Sequence, residues 1–382
     1  MLLAVEYNTE FNYINSGNQQ GDTMTTYIED IVNNSDQKRI TYAEFIRAAL
    51  YHPEQGYYMK NDVKIGRSGD FITTSNVSDI YGKVIAKWYA ANRLEYNLPA
   101  AVCEIGGGTG RFAKAFLEGW AQYSSVPLTY SLVETSPYHR QLQAETLVGF
   151  NNFVQYQNIN EIRDFTGLIF SNELFDALSV HVIEKRRGAI YEVMITSEEH
   201  GLKEVLVPLE DQEILSFVEK HGVFLNEGQR IEIPLEMEEM VKSIDEMLTN
   251  GIVVTVDYGY TREEWQRPER KNGSLRGYYR QQMYEDVLQF PGMMDITSHV
   301  HFDALIRTGE EHNLKCRLKQ RQDEFLLTAG ILDELANTYD PDPFSEQSKL
   351  NRAIKSLILP GGMSSAFHVI VQEKGLNSNE SV

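Results

Sequence analysis

The most concentrated chemical signal in the chain is Val102-Cys103-Glu104-Ile105-Gly106-Gly107-Gly108-Thr109-Gly110. An apolar stretch runs into glycines at 106, 108 and 110, and a helical pattern begins at Arg111. Glycine there lets the backbone turn sharply and approach a bound nucleoside with no Cβ in the way. A dinucleotide site would want glycine where Arg111 stands, and a P-loop would want a following Gly-Lys-Ser/Thr; the chain has neither. A second apolar burst closes on Leu132-Val133-Glu134. The two carboxylate oxygens of Glu134 match the vicinal hydroxyls of a ribose. Glu104 and Glu134 together point to an adenosine-type ligand. After a third burst, Phe170-Ser171-Asn172-Glu173-Leu174-Phe175-Asp176-Ala177-Leu178 sets polar groups at a strand end. Asn172 and Glu173 are candidates to face a reacting group, and Asp176 either joins them or caps the turn that follows. The run Asp295…His299-Val300-His301 offers three potential metal ligands, but no fourth is evident and no metal is expected. It reads instead as a loop closing over a substrate pocket, with His299 bonding the substrate or a carboxylate, or as a structural turn.

These residues need a scaffold to bring them together. Ala101–Ile105, Leu128–Val133, Gly167–Phe170 and Ile252–Val256 are apolar bursts ending in Gly or polar residues, as buried parallel strands do at a ligand-binding edge. Arg111–Tyr123 spaces Phe112, Ala115, Phe116 and Gly119 helically, and Pro137–Leu147 follows a Ser136-Pro137 start. Strands alternating with helices predict an α/β fold with a mostly parallel sheet. Residues 1–23 are polar and aperiodic and read as a loose tail, with Met24 a candidate native start. Residues 24–98 read as a mostly helical region and 99–180 as the first half of the core. Residues 181–250 read as an acidic inserted α/β segment, and 251–382 as the second half of the core with a lid-like insertion at 260–300. No internal repeat or low-complexity tract is visible.

Composition narrows the function classes. The 382 residues are 42% hydrophobic and 24% charged, a globular mix. No stretch is apolar over the ~18–20 residues a bilayer-spanning helix needs, so no membrane insertion is expected. A net charge of −20 argues against nucleic acid as a partner. Segment 181–250 holds 16 acids against 7 bases, a field that could steer a basic protein or simply be a solvated face. Two cysteines cannot build a disulfide framework. The first Lys or Arg is Lys38, after six acidic residues, unlike a secretory signal or a mitochondrial presequence. A cytoplasmic location is the expectation from these two features.

The glycine spacing with Glu104 resembles motif I of class I S-adenosylmethionine-dependent methyltransferases. Gly69-Asp70-Phe71-Ile72-Thr73-Thr74, the Glu104–Gly110 run, Val133–Pro137, Asn172–Leu178, Val256-Asp257-Tyr258-Gly259, Gly273-Ser274-Leu275-Arg276 and Asp295–Val300 then fall in one order. From about residue 40 to 372 the chain resembles the MidA-like family of these enzymes, whose mitochondrial members assist respiratory complex I assembly by methylating a subunit on arginine. The chain departs from the family pattern at Ser179, usually Pro, and at His301, usually Asn or Asp. The Tyr278-Tyr279-Arg280-Gln281 stretch lacks the usual histidines.

The resemblance implies a Rossmann-like sheet with helices on both faces, S-adenosylmethionine as cofactor, and a protein acceptor, possibly a respiratory complex subunit. It implies Gly69 and Asp70 beside the cofactor, Glu134 on its ribose, and Asn172 and Glu173 near the methyl. Glu173 is the first candidate to hold an acceptor guanidinium and Asp176 the second. The alternatives are a scaffolding factor that keeps the cofactor fold without transfer, and a small-molecule methyltransferase.

Overall fold

The structure, a computed structural model, describes residues 27–61, 79–199, 201–335, 340–359 and 366–376. Among them no helix is long and apolar enough to cross a membrane.

The chain opens with helix Tyr27–Asn34, strand β1 (Arg39–Thr41) and helix Tyr42–Tyr51, the latter started by a capping box in which Thr41 and Glu44 bond each other's backbone N–H. Helix Ile80–Glu95 leads into the core strands β2 (Ala101–Ile105), β3 (Thr129–Val133), β4 (Phe153–Tyr156) and β5 (Phe165–Asn172). An antiparallel insert follows, made of β6 (His181–Arg186), β7 (Ala189–Glu198), β8 (Gly201–Pro208) and β9 (Arg230–Ile233). The chain returns to the core with β10 (Leu248–Tyr260), which extends well beyond the apolar burst at its centre. It then builds a small sheet from β11 (Arg276–Tyr279), β12 (Gln282–Tyr284) and β13 (Asp295–Thr297). It finishes with β14 (Val300–His301), β15 (Lys315–Arg321) and β16 (Phe367–Lys374).

The main sheet has the order β15-β16-β10-β5-β2-β3-β4, with β14 added alongside the end of β10. Strands β4, β3, β2, β5 and β10 are mutually parallel, while β16 runs antiparallel between β10 and β15. Side chains alternate across each strand, and both sets are apolar. Val102, Leu132, Leu168, Phe170, Val254 and Val256 meet the helices Ile80–Glu95, Arg111–Tyr123, Gln322–Thr328 and Glu346–Ile358 on one face. Cys103, Ile105, Val133, Ile169 and Val253 meet Gln212–His221, Leu235–Met247 and Phe302–Glu311 on the other. Burial on both faces is why these strands read as continuous apolar runs.

A third core joins the two N-terminal helices to the insert and the small sheet. Ile40, Phe45, Ile46, Val182, Val193, Ile195, Leu275, Met294 and Ile296 are buried together. β1 pairs antiparallel with β7, Ile40 opposite Ile195. The 260–300 segment is thereby tied to the N-terminal helices by packing, and both are held over the C-terminal edge of the main sheet.

Candidate active site

The parallel strands end at one edge, and the chain runs from β2 to β3 on one side while β5 lies on the other. The crevice at such a reversal is where open α/β sheets take ligands. Gly106, Gly107, Gly108, Thr109 and Gly110 form the turn from β2 into helix Arg111–Tyr123. Gly106 and Gly110 have φ of 75° and 77°, left-handed backbone that glycine adopts without a Cβ penalty. A Cβ on Gly110 would lie 3.1 Å from Cα of Gln143. The loop is fastened from below: the buried Gln143 donates from Nε2 to the Gly108 carbonyl (3.0 Å), and Gln155 donates to Gln143 Oε1 (2.8 Å). Both glutamines are positioning residues without a spacing signal in the sequence.

Glu134 leaves β3 with its carboxylate turned inward, only 9% exposed, unlike a solvated surface glutamate. Its Oε2 accepts from Gly108 N–H (3.1 Å) and its Oε1 from Ser136 N–H (2.9 Å). Arg140 holds the carbonyls of Glu134 and Thr135 at 2.7 and 2.8 Å. A carboxylate has about four acceptor positions, so capacity is left for two hydroxyl donors. The glycine loop and this carboxylate fit an adenosyl group.

Glu104 is 4% exposed and accepts from the Tyr130 hydroxyl at 2.7 Å. Burial, reinforced by the nearby Glu134 charge and opposed by the Tyr130 bond, pushes its carboxyl up to about 8. Below the ordinary carboxylate range both folded and unfolded chains hold this proton. Between that range and pH 8 only the folded chain holds it, so the contribution of Glu104 to stability falls as pH rises through that window. Glu104→Gln, which still accepts from Tyr130, is expected to remove that fall. It should stabilise the ligand-free protein at pH 8 by on the order of 2 kcal/mol relative to its effect at pH 5. Thermal melts at the two pH values check this, and parallel pH dependence of wild type and variant would contradict it.

Beyond β5 the chain makes a tight turn through Glu173, whose φ of 51° is unusual for a non-glycine residue. Asp257, at the end of β10 and fully buried, holds that turn. Its Oδ2 accepts from the backbone N–H of Phe175 (3.0 Å) and Asp176 (3.3 Å), and Glu173 N–H donates to the Val256 carbonyl (2.9 Å). Asp176 is followed by a turn and caps no helix. It accepts from the Tyr258 hydroxyl, and its carbonyl accepts from Ser298 N–H at 2.9 Å. Asn172 Nδ2 donates to Glu173 Oε1 (3.0 Å).

Asp295 on β13 completes the arrangement, accepting from the Tyr58 hydroxyl, and the Tyr51 hydroxyl reaches the Ala177 carbonyl at 3.1 Å. The N-terminal helices, the β5 turn, β10 and the small sheet therefore meet at these carboxylates. Two buried acceptors in this cluster, Oδ1 of Asn172 and of Asp176, find no hydrogen-bond partner among the described residues. No Lys, Arg or His of the described residues forms an ion pair with Glu173, Asp176 or Asp257. Burial, then the charge of Asp176, holds the Glu173 carboxyl well above the usual carboxylate range. Burial raises Asp176 and Asp257 as well, the two interacting as a pair.

His299 is stacked on Tyr260 (centroids 4.4 Å apart, 10° between planes), edge-on to Tyr258 at 5.0 Å, and its Nδ1 finds no partner among the described residues. Burial, then Arg270 and Arg276, lowers it to about 4, leaving a neutral imidazole at pH 7. His301 is buried against Trp265. The described residues contain no group of three or more His, Cys, Asp or Glu placed to hold a metal ion. Ser179, at a departure from the family pattern, donates its N–H to Glu236 at 2.9 Å. Gly69 and Asp70 lie outside the described residues.

This sheet order, glycine turn and acidic strand end define a class I methyltransferase core. A family profile described as "Putative S-adenosyl-L-methionine-dependent methyltransferase" matches residues 84–319, more than half of the chain. The chain belongs to that family, the MidA-like S-adenosylmethionine-dependent methyltransferases. It is similar to "Protein arginine methyltransferase NDUFAF7, mitochondrial" of Danio rerio, 28% identical over 370 residues (86% of this chain and 82% of the relative). The protein of the same name from Rattus norvegicus is 27% identical over 371 residues (86% and 80%). Among solved structures it resembles a Burkholderia thailandensis protein bound to S-adenosyl-homocysteine, with TM-score 0.81, 26% identity and 89% of each chain covered. The chain is an S-adenosylmethionine-dependent methyltransferase, and the scaffold-only alternative gives way. The cytoplasmic expectation is overturned, because the curated relatives are named as mitochondrial proteins. Charge at one end of a chain and a low cysteine count do not report the compartment in which the folded body works.

Proposed function

We propose that the enzyme methylates a guanidinium nitrogen of an arginine in a protein acceptor. The observation that carries this reading is the cluster of the half-buried Glu173 with the buried Asp176 and Asp257, beside the cofactor crevice and without a cationic partner among the described residues. Buried charge is costly unless paired. A planar cation entering here would supply that pairing, favour the ionised carboxylates, and bond the orphaned Asn172 and Asp176 oxygens bidentately. The relatives' name, a protein arginine methyltransferase, supports the same acceptor class. The acidic charge of the chain suits a basic protein, and a respiratory complex subunit is the candidate that the family resemblance carries.

When bound, S-adenosylmethionine supplies an electrophilic methyl on a sulfonium. The glycine turn and Glu134 seat the adenosyl group. Glu173 and Asp176 hold the guanidinium, draw positive charge from the attacking nitrogen, and orient its lone pair in line with the methyl carbon. With the cofactor bound, the guanidinium nitrogen held by Glu173 and Asp176 would accept its methyl, and the proton that nitrogen loses would pass to one of these carboxylates. Tyr258 and Tyr58 hold Asp176 and Asp295 in place, and the neutral His299 packs behind Tyr258.

The test is to incubate the purified enzyme with methyl-labelled cofactor and a lysate of its own host, then analyse hydrolysed proteins for methylarginine. Label on arginine is expected; label confined to other residues or to small molecules would overturn the acceptor assignment. Only ionised carboxylates bind a cation, and these hold their protons above the ordinary range. The value of kcat/KM should therefore rise with pH along a limb displaced toward neutrality. A limb at the ordinary carboxylate range would count against the pocket.

A further inference from the structure

A cleft of about 680 Å³ opens on the far end of the insert, away from the acidic pocket. Three segments form it: the β6–β7 hairpin tip, the approach to β9, and the stretch ending at Lys271. They are stitched together by backbone bonds, from Gly228 N–H to the Lys185 carbonyl (2.8 Å) and from Arg230 N–H to the Lys271 carbonyl (2.8 Å). The walls carry four cations, Arg186, Arg187, Arg230 and Lys271, and two acids, Glu184 and Glu227.

Both acids are already engaged. Glu184 is paired with Arg186 and with Arg230 (3.0 Å), and Arg230 also holds Glu204. Glu227 accepts from the backbone N–H groups of Arg187 and Gly188. That leaves Arg187 and Lys271 with no carboxylate partner among the described residues, on two sides of one cleft. The local surplus stands out on a chain of net charge −20. Such a field repels an extended polyanion while the cleft attracts a compact one.

We propose that this cleft is an anion site that takes a phosphate monoester. The Arg187 guanidinium supplies a planar fork for two phosphate oxygens, and the Lys271 ammonium supplies a point charge opposite. Glu227 keeps its charge, so the four wall cations exceed the two wall acids by two, and by one once Glu204 on Arg230 is counted; an incoming anion meets a net positive cleft. The ester would come from a phosphorylated protein segment or from a small phosphorylated molecule.

Titration of the full-length enzyme with inorganic phosphate at low ionic strength, followed by ³¹P NMR, tests the site. Saturable binding is expected, weakened about tenfold or more in Arg187→Ala/Lys271→Ala, the loss of roughly one charge-assisted contact or more. Both side chains are exposed, so the fold should survive, and unchanged cofactor affinity in the variant confirms it. A phosphoserine peptide binding more tightly than glycerol phosphate would support the protein source; equal binding would support the small molecule. No saturable binding, or equal binding by wild type and variant, overturns the site without touching the methyl-transfer reading.

Discussion

Glu173→Gln is expected to lower kcat by about 10³-fold while S-adenosylmethionine affinity stays within about threefold of wild type. The substitution keeps the shape of the side chain and its acceptor for Asn172 Nδ2, so the strained turn through residue 173 has no reason to relax. It removes the ability to ionise. In the ligand-free protein, desolvation and then the charge of Asp176 favour the protonated form of Glu173, and a guanidinium entering beside it would favour the carboxylate. In the proposed mechanism that carboxylate pulls positive charge from the attacking nitrogen. Glutamine cannot make that change, so the loss should fall on kcat rather than on cofactor binding. Single-turnover assays and cofactor calorimetry on the same preparation separate the two. Turnover within fivefold of wild type would remove Glu173 from the mechanism.

Much of this site is visible in the sequence because the chemistry and the strand ends coincide. The turn from β2, Glu134 after β3 and Asn172-Glu173 after β5 each follow an apolar burst, and a buried parallel strand has no other way to look. What the sequence conceals is the set of residues recruited from far along the chain. Asp257 holds a turn some eighty positions upstream, and Tyr58 reaches Asp295 across more than two hundred. Neither aspartate sits in a pattern that names its partner. β15 (Lys315–Arg321) lacks an apolar run and is a strand only because β16 offers it a ladder. β1 belongs to a sheet whose other strands lie about 140 residues or more downstream. From the segment at 260–300, which reads as a lid-like insertion, Leu275, Val287, Met294 and Ile296 pack in one core with the N-terminal helices, a partnership no local pattern announces. Local pattern reports which face of an element is dry; it does not report against what.

Glu134→Ala should weaken S-adenosylmethionine and S-adenosyl-homocysteine alike, by about 10²-fold, the equivalent of one to two charge-assisted hydrogen bonds. The two ligands share the ribose, which we propose Glu134 grips, and differ only at sulfur. The truncation also strips the acceptor from Gly108 N–H and Ser136 N–H, loosening the glycine turn that we propose seats the adenosyl group. Glutamine is no mild substitute: each carboxylate oxygen already accepts from a backbone N–H, so an amide would set its own donor against one of them. Aspartate keeps the charge but is one methylene short, and should recover part of the affinity. At saturating cofactor the alanine variant should retain most of its kcat, the opposite of the Glu173 result, because its lost contacts are made before and during transfer alike. Calorimetry with both ligands checks the first expectation and initial rates at high cofactor the second. A dissociation constant within fivefold of wild type for both would place the ribose grip elsewhere.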